Sequence, residues 1–298
     1  MKDSELTKSR TFKSLQLLLK IAVTIGCLWY VFTKIDFKEV WAGLIKANWL
    51  WLLVALVIYN MSKLIGAKRL NIYFKSININ LPEWQNVKLY WLGMFYNLFL
   101  PGAITGDAYK VILLSKRHGI SYKKTATAVL LDRFSGLLSL GLIIAAYGSF
   151  IVKEKWVAIL LIAGAILAIP ILYFIIKKVF PDFLSGFWPT FFWGAMVQMA
   201  ILLCVYCILF ALNVHIDTSS YVFIFLIAAL ASVFPISVGG GLGVREFVII
   251  EGAKYAGLNQ HIALILSLFF YIITVIGSLA GLIFVFKNPL GKNPVTVK

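Results

Sequence analysis

Apolar residues run along this chain in long blocks separated by short basic stretches. Six blocks, residues 15 to 32, 49 to 66, 125 to 150, 156 to 176, 188 to 212 and 261 to 286, each have the length of a helix that crosses about 30 Å of hydrocarbon. Two more, 87 to 105 and 221 to 238, are equally apolar but interrupted. Pro101-Gly102 breaks the first, and Pro235 followed by Gly239-Gly240-Gly241 breaks the second. Composition agrees: 61% of the residues are hydrophobic and 13% charged, with a mean hydropathy of +0.91. A water-soluble domain is roughly half apolar and a quarter charged. The pattern predicts an all-α polytopic membrane protein with little mass outside the bilayer.

Charge decides how the interrupted blocks run. If both cross the membrane, the Lys and Arg between spans divide thirteen inside and ten outside, hardly a bias. If each turns back at its break, they divide seventeen and six, a strong positive-inside asymmetry. The sequence therefore predicts six full spans plus two re-entrant helical hairpins, 87 to 116 and 221 to 257. Half-helices of about thirteen residues reach roughly 20 Å, enough to put each break near mid-membrane. Irregular backbone at that depth must face protein or a water-filled cavity, because lipid cannot satisfy its amides and carbonyls.

One transmembrane domain is expected over residues 1–298, with halves 15–150 and 156–286 of opposite orientation and tails 1–14 and 287–298 in the cytoplasm, in the cell (inner) membrane. The amino terminus carries Lys2, Lys8, Arg10 and Lys13 before its apolar block, as a signal peptide does. It lacks a small-x-small cleavage site and continues into Trp29-Tyr30, so it reads as an uncleaved anchor. The net charge of +16 lies between apolar blocks, where the positive-inside rule and anionic headgroups account for it, and no nucleic-acid partner is expected.

The two breaks share an order: apolar residue, Pro, flexible stretch, Gly, then charges of both signs. Paired Pro/Gly-interrupted segments in inverted halves point to a transporter's central site. Pro101, Gly102, Gly106, Pro235, Gly239, Gly240, Gly241 and Gly243 are the candidate hinge residues. Asp107, Lys110, Arg245 and Glu246 flank the breaks, either as substrate ligands or as salt bridges between hairpins. Asp132 and Arg133 lie about eight residues into their span, roughly 12 Å deep, too deep for an aspartate to reach water. Adjacent helical residues point about 100° apart, so each is expected to find its partner on another element. Asn97 and Gln198 are read as buried amides, and Asn60 and Lys63 lie near the inner end of the second span, from which Lys63 snorkels to headgroups. Cys204 and Cys207 share an apolar helix face and read as packing residues. No nucleotide, zinc or hydrolase motif is present, and no metal or cofactor is expected.

Three motifs in order carry a resemblance. They are Asn97-x-x-Leu100-Pro101-Gly102 running into Gly106-Asp107-x-x-Lys110, then Leu131-Asp132-Arg133-x-x-Gly136, then Pro235 with Gly239-Gly240-Gly241-x-Gly243-x-Arg245-Glu246. Together they resemble the lysylphosphatidylglycerol synthase transmembrane-domain family, the flippase-like membrane domain of the multiple peptide resistance proteins. The resemblance implies a domain that moves polar-headgroup lipids between leaflets, with Asn97, Asp107, Lys110, Asp132, Arg133, Arg245 and Glu246 near the path. Lys110 stands where the family commonly has Arg, and no aminoacyltransferase domain follows the last span, so lysyl transfer is not expected.

The leading expectation is a flippase or scramblase for an anionic or aminoacylated phospholipid or glycolipid. An integral-membrane transferase acting on a lipid-linked sugar or amino acid, with Asp107, Asp132 or Glu246 as base, is one alternative; a proton-coupled solute transporter is another. Membrane lipids are the expected partners, with self-association or a separate lipid-synthesis enzyme left open.

Overall fold

The computed structural model describes residues 37–100, 104–233, 241 and 243–291, with single helical positions at 22, 25 and 29. The helices are α1 (Phe37–Lys46), α2 (Trp49–Lys75), α3 (Glu83–Phe99), α4 (Thr105–His118), α5 (Tyr122–Ile151), α6 (Lys155–Val179), α7 (Phe187–Ala211), α8 (Thr218–Val233), α9 (Val244–Tyr255), α10 (Gln260–Leu279) and α11 (Ile283–Phe286). Short 3-10 segments, Pro181–Gly186 and Ala280–Leu282, lead into α7 and α11. No strand occurs among the described residues.

Among the described residues, five stretches are long and apolar enough to cross a membrane: Trp49–Lys75, Tyr122–Ile151, Lys155–Val179, Pro181–Ala211 and Gln260–Phe286. They carry five of the six uninterrupted blocks; the block from 15 to 32 lies outside the described residues, apart from Ala22, Ile25 and Trp29. The helix starting at Trp49 runs to Lys75, well past the expected end near residue 66. Lys68 and Arg69 do not stop it, because both keep helical backbone and find partners beside the helix. The Lys68 ammonium lies 4.3 Å from the centre of the Trp193 ring, and Arg69 is buried against Asp132.

The interrupted blocks yield shorter helices. α3 and α4 have 17 and 14 residues, α8 and α9 have 16 and 12. At 1.5 Å per residue these reach roughly 18 to 26 Å, less than the hydrocarbon thickness.

The bundle is organised around α2, which packs along α7 and meets α3, α5 and α10. α3 pairs with α4, and α8 with α9. Contacts between helix ends show which ends lie together. Lys75 Nζ bonds Glu83 at 3.1 Å, Lys124 Nζ bonds Asp182 at 2.8 Å, and Ser115 Oγ donates to Thr125 Oγ1 at 2.9 Å. Thr190 Oγ1 donates to the Tyr73 hydroxyl at 2.8 Å, joining the start of α7 to the end of α2. The start of α3 and the end of α4 thus meet the same end of the bundle. Elsewhere, Asn48 N–H donates to Ala211 O at 2.8 Å and Asn259 N–H to the Tyr221 hydroxyl at 3.1 Å, which gathers the starts of α2, α8 and α10 with the end of α7.

Close packing needs small residues where helices cross. A Cβ on Gly106, at the start of α4, would run into the carbonyl of Gly93 on α3. Without side chains at this crossing the two backbones touch, the arrangement favoured where no hydrophobic effect drives helices together. Much of α6 turns outward, with Ile159, Leu160, Ile166, Leu167, Ile171 and Phe174 exposed, as a lipid-facing helix requires.

Candidate functional site

A polar cavity of about 410 Å³ opens where α2, α3, α4 and α5 converge, closed off by Gln198 of α7 and Ser232 and Val233 of α8. Its charged lining comprises Lys63, Arg69, Asp107, Lys110, Asp132 and Arg133. Asn97, Tyr90 and Gln198 add uncharged polar groups.

Both carboxylates are engaged. Arg69 Nε donates to Asp132 Oδ1 at 2.7 Å and Nη2 to Oδ2 at 3.1 Å, a two-point pair whose side chains are 7% and 10% exposed. Asp107 accepts from Lys110 Nζ at 3.0 Å on one oxygen and from Arg133 Nε at 2.6 Å on the other. Neighbours in sequence, Asp132 and Arg133 thus tie α5 to different elements, the one to α2 and the other to α4. The 100° offset between adjacent helical side chains produces this division.

Local structure holds these groups in place. The Asn97 side-chain oxygen accepts from the Gly106 N–H at 2.8 Å, spanning the break and satisfying one of the free amides that open α4. Lys110 is buried, and its ammonium lies 4.8 Å from the centre of the Tyr90 ring. The Arg69 guanidinium sits in a slot made by glycines: an added Cβ would lie 3.0 Å from its Nη1 at Gly136 and 3.6 Å at Gly194. That Nη1 is buried and has no hydrogen-bond partner among the described residues. Lys63 has no ion pair among the described residues; its ammonium lies 4.3 Å from the centre of the Tyr59 ring.

Arg245 and Glu246 form a separate cluster outside this lining. Glu246 Oε1 accepts from Arg245 Nη2 at 2.7 Å and from Ser267 Oγ at 2.8 Å, while Oε2 accepts from Gly243 N–H at 2.8 Å. Side-chain exposures of 7% and 2% mark a closed, neutral pair, and the Arg245 guanidinium lies over the Phe270 and Tyr271 rings. Gly241 and Gly243 precede the pair with φ of +97° and +85°, backbone that glycine adopts freely. Pro101, Gly102, Pro235, Gly239 and Gly240 lie outside the described residues.

The structure therefore brings Asn97, Asp107, Lys110, Asp132 and Arg133 to one cavity and leaves Arg245 and Glu246 apart. It adds Arg69, Lys63, Tyr90 and Gln198. Arg69 was legible in principle: Gly66, Leu70, Tyr73 and Phe74 are all buried, and Arg69 falls on the same helical face. Lys63 occupies the middle of α2, because the helix continues past residue 66 to Lys75.

A family model described as the lysylphosphatidylglycerol synthase TM region matches residues 17–281. The chain belongs to that family. It is a multi-pass integral membrane protein of a lipid-related class. The chain is also similar to a UPF0104 membrane protein of Pyrococcus horikoshii, 31% identical over 123 residues. That match covers 41% of this chain and spans only 36% of the relative's own length.

Proposed function

We propose that this protein is a flippase or scramblase that carries the polar headgroup of an anionic lipid through the cavity while its acyl chains stay in the bilayer. The observation that carries the reading is the charge balance of the lining, four cations against two carboxylates, in a segment of the molecule surrounded by membrane-spanning helices. Ionisable groups at that depth cost at least ~2.5 to 3.5 kcal/mol each, and in membrane proteins they mark pathways. A surplus of positive charge attracts phosphate.

In this reading α3–α4 and α8–α9 are re-entrant hairpins that enter from opposite leaflets as inverted repeats. Their lengths and the pairing of helix ends support this, as does the positive-inside count. Both termini are then cytoplasmic and the protein sits in the inner membrane. Arg133 is the arriving headgroup's first contact: its side chain is 34% exposed, against 5% for Lys110 and 7% for Arg69. When phosphate draws Arg133 from Asp107, Lys110 keeps the carboxylate paired. The transferase alternative is disfavoured because Asp107, Asp132 and Glu246 are each already bound by a cationic side chain, leaving no carboxylate placed as a free base.

Reconstitution into liposomes tests the proposal. Purified protein should move labelled phosphatidylglycerol between leaflets, and Arg133→Ala should slow it about tenfold, roughly 1.4 kcal/mol. Protein-free rates from the intact protein, across anionic phospholipids and glycolipids, would overturn it.

A further inference from the structure

The translocation reading requires only an anionic headgroup, but the cavity's charges specify more. Lys63, Arg69, Lys110 and Arg133 supply four positive charges, and Asp107 and Asp132 cancel two. Segments 101–103 and 234–240 at the breaks contain no ionisable side chain, so they do not alter the balance. Arg245 and Glu246 cancel each other elsewhere. Among the described residues the lining therefore has two more cationic side chains than carboxylates, an excess that is costly away from water until a ligand meets it.

The surplus has a location. Arg69, Lys110 and Arg133 are all bonded to carboxylates, whereas Lys63 lines the cavity with no ion pair among the described residues and its ammonium over the Tyr59 ring. Lys63 stands 14 residues after Trp49 and 12 before Lys75, thus about 21 Å and 18 Å from the two ends of α2 at 1.5 Å per residue. That is about halfway along the helix. One helical turn and a half further on, Arg69 offers its buried, unpartnered Nη1 near the same wall.

We infer that the ligand of this cavity is a phosphate dianion, a phosphomonoester or diphosphate headgroup in preference to a singly charged phosphodiester, and that Lys63 binds the second negative charge. The inference rests on the cavity being the headgroup path. Arg133 meets the phosphate at the mouth and Lys63 receives it from another wall of the cavity, so the anion finds a second cationic contact after the first. A singly charged headgroup leaves Lys63 uncompensated.

Native mass spectrometry of the full chain tests this, with phosphatidic acid and phosphatidylglycerol of identical acyl chains offered together at pH 8. The intact protein should retain phosphatidic acid at least tenfold over phosphatidylglycerol. Lys63→Gln should cut the ratio below about threefold through loss of phosphatidic acid, and Lys63→Arg should restore it. Adding millimolar inorganic phosphate separates the sources: undiminished phosphatidic acid supports a lipid headgroup, and Lys63-dependent displacement supports free phosphate, with the dianion intact either way. A ratio near one in the intact protein, or one unchanged by Lys63→Gln, overturns the inference. The same proteins assayed in liposomes keep the two readings apart. Equal transport of both lipids refutes dianion selection and leaves translocation standing, whereas selective binding without transport does the opposite.

Discussion

Removing the carboxylate of Asp132 should destabilise the protein far more than removing its whole ion pair. Arg69 and Asp132 meet through two hydrogen bonds of 2.7 and 3.1 Å, with side chains only 7% and 10% exposed. Were the pair solvated, its loss would cost about 0–1 kcal/mol. At this burial, Asp132→Leu leaves a guanidinium whose Nη1 already lacks a partner, and the expected cost is about 3–5 kcal/mol. Arg69→Met should cost a similar amount by orphaning the carboxylate. The double variant removes both charges and should cost less than either single change. Reversible unfolding in mixed micelles, run as a double-mutant cycle, measures the coupling. Additive costs, or an Asp132→Leu loss below about 1 kcal/mol, would refute the picture of a dry pair locking α2 to α5.

Three further outcomes follow from the geometry. Arg133→Gln should lower lipid transport about tenfold while leaving the unfolding midpoint nearly unchanged, since its side chain is the most exposed of the cavity cations joined in ion pairs; a matching fall in stability would make Arg133 structural instead. Gly106→Ala should impair folding, because its Cβ would collide with the rigid Gly93 carbonyl, and normal yield and stability would show that α3 and α4 separate easily. Glu246→Ala should destabilise by about 3 kcal/mol or more, as Arg245, Ser267 Oγ and the Gly243 N–H lose a common acceptor, and a hydrogen-exchange measurement should show α9 opening first.

Much of this was legible in the chain because the bilayer imposes few solutions. Block length gave five of the spans, and the Pro and Gly interruptions marked where helices of 12 to 17 residues stand instead of longer ones. Asp132 and Arg133 stood out as charges well inside an apolar block, and the helical offset correctly implied separate partners. Arg69 was missed because Lys63, Lys68 and Arg69 together lower hydropathy and look like the end of a span. Only the periodicity of Gly66, Leu70, Tyr73 and Phe74 reveals that the helix continues with Arg69 turned inward. The same extension of α2 to Lys75 puts Lys63 near the middle of its helix rather than near the helix end. The two breaks left substrate ligands and salt bridges between hairpins as alternatives, yet Arg245 pairs with Glu246 beside it at the start of α9 and Lys110 with Asp107 on α4. Sequence order does not encode whether an acid finds its base on its own helix or across a cavity.

Lipid translocation through this cavity depends most on α3–α4 and α8–α9 each leaving the membrane by the side they entered. Single cysteines at Glu83, Lys123, Asp217 and Lys254, in a background lacking Cys27, Cys204 and Cys207, can be labelled with an impermeant maleimide in sealed vesicles of known orientation. The prediction is that Glu83 and Lys123 react from one side and Asp217 and Lys254 from the other. Reaction of Glu83 and Lys123 from opposite sides would contradict the account.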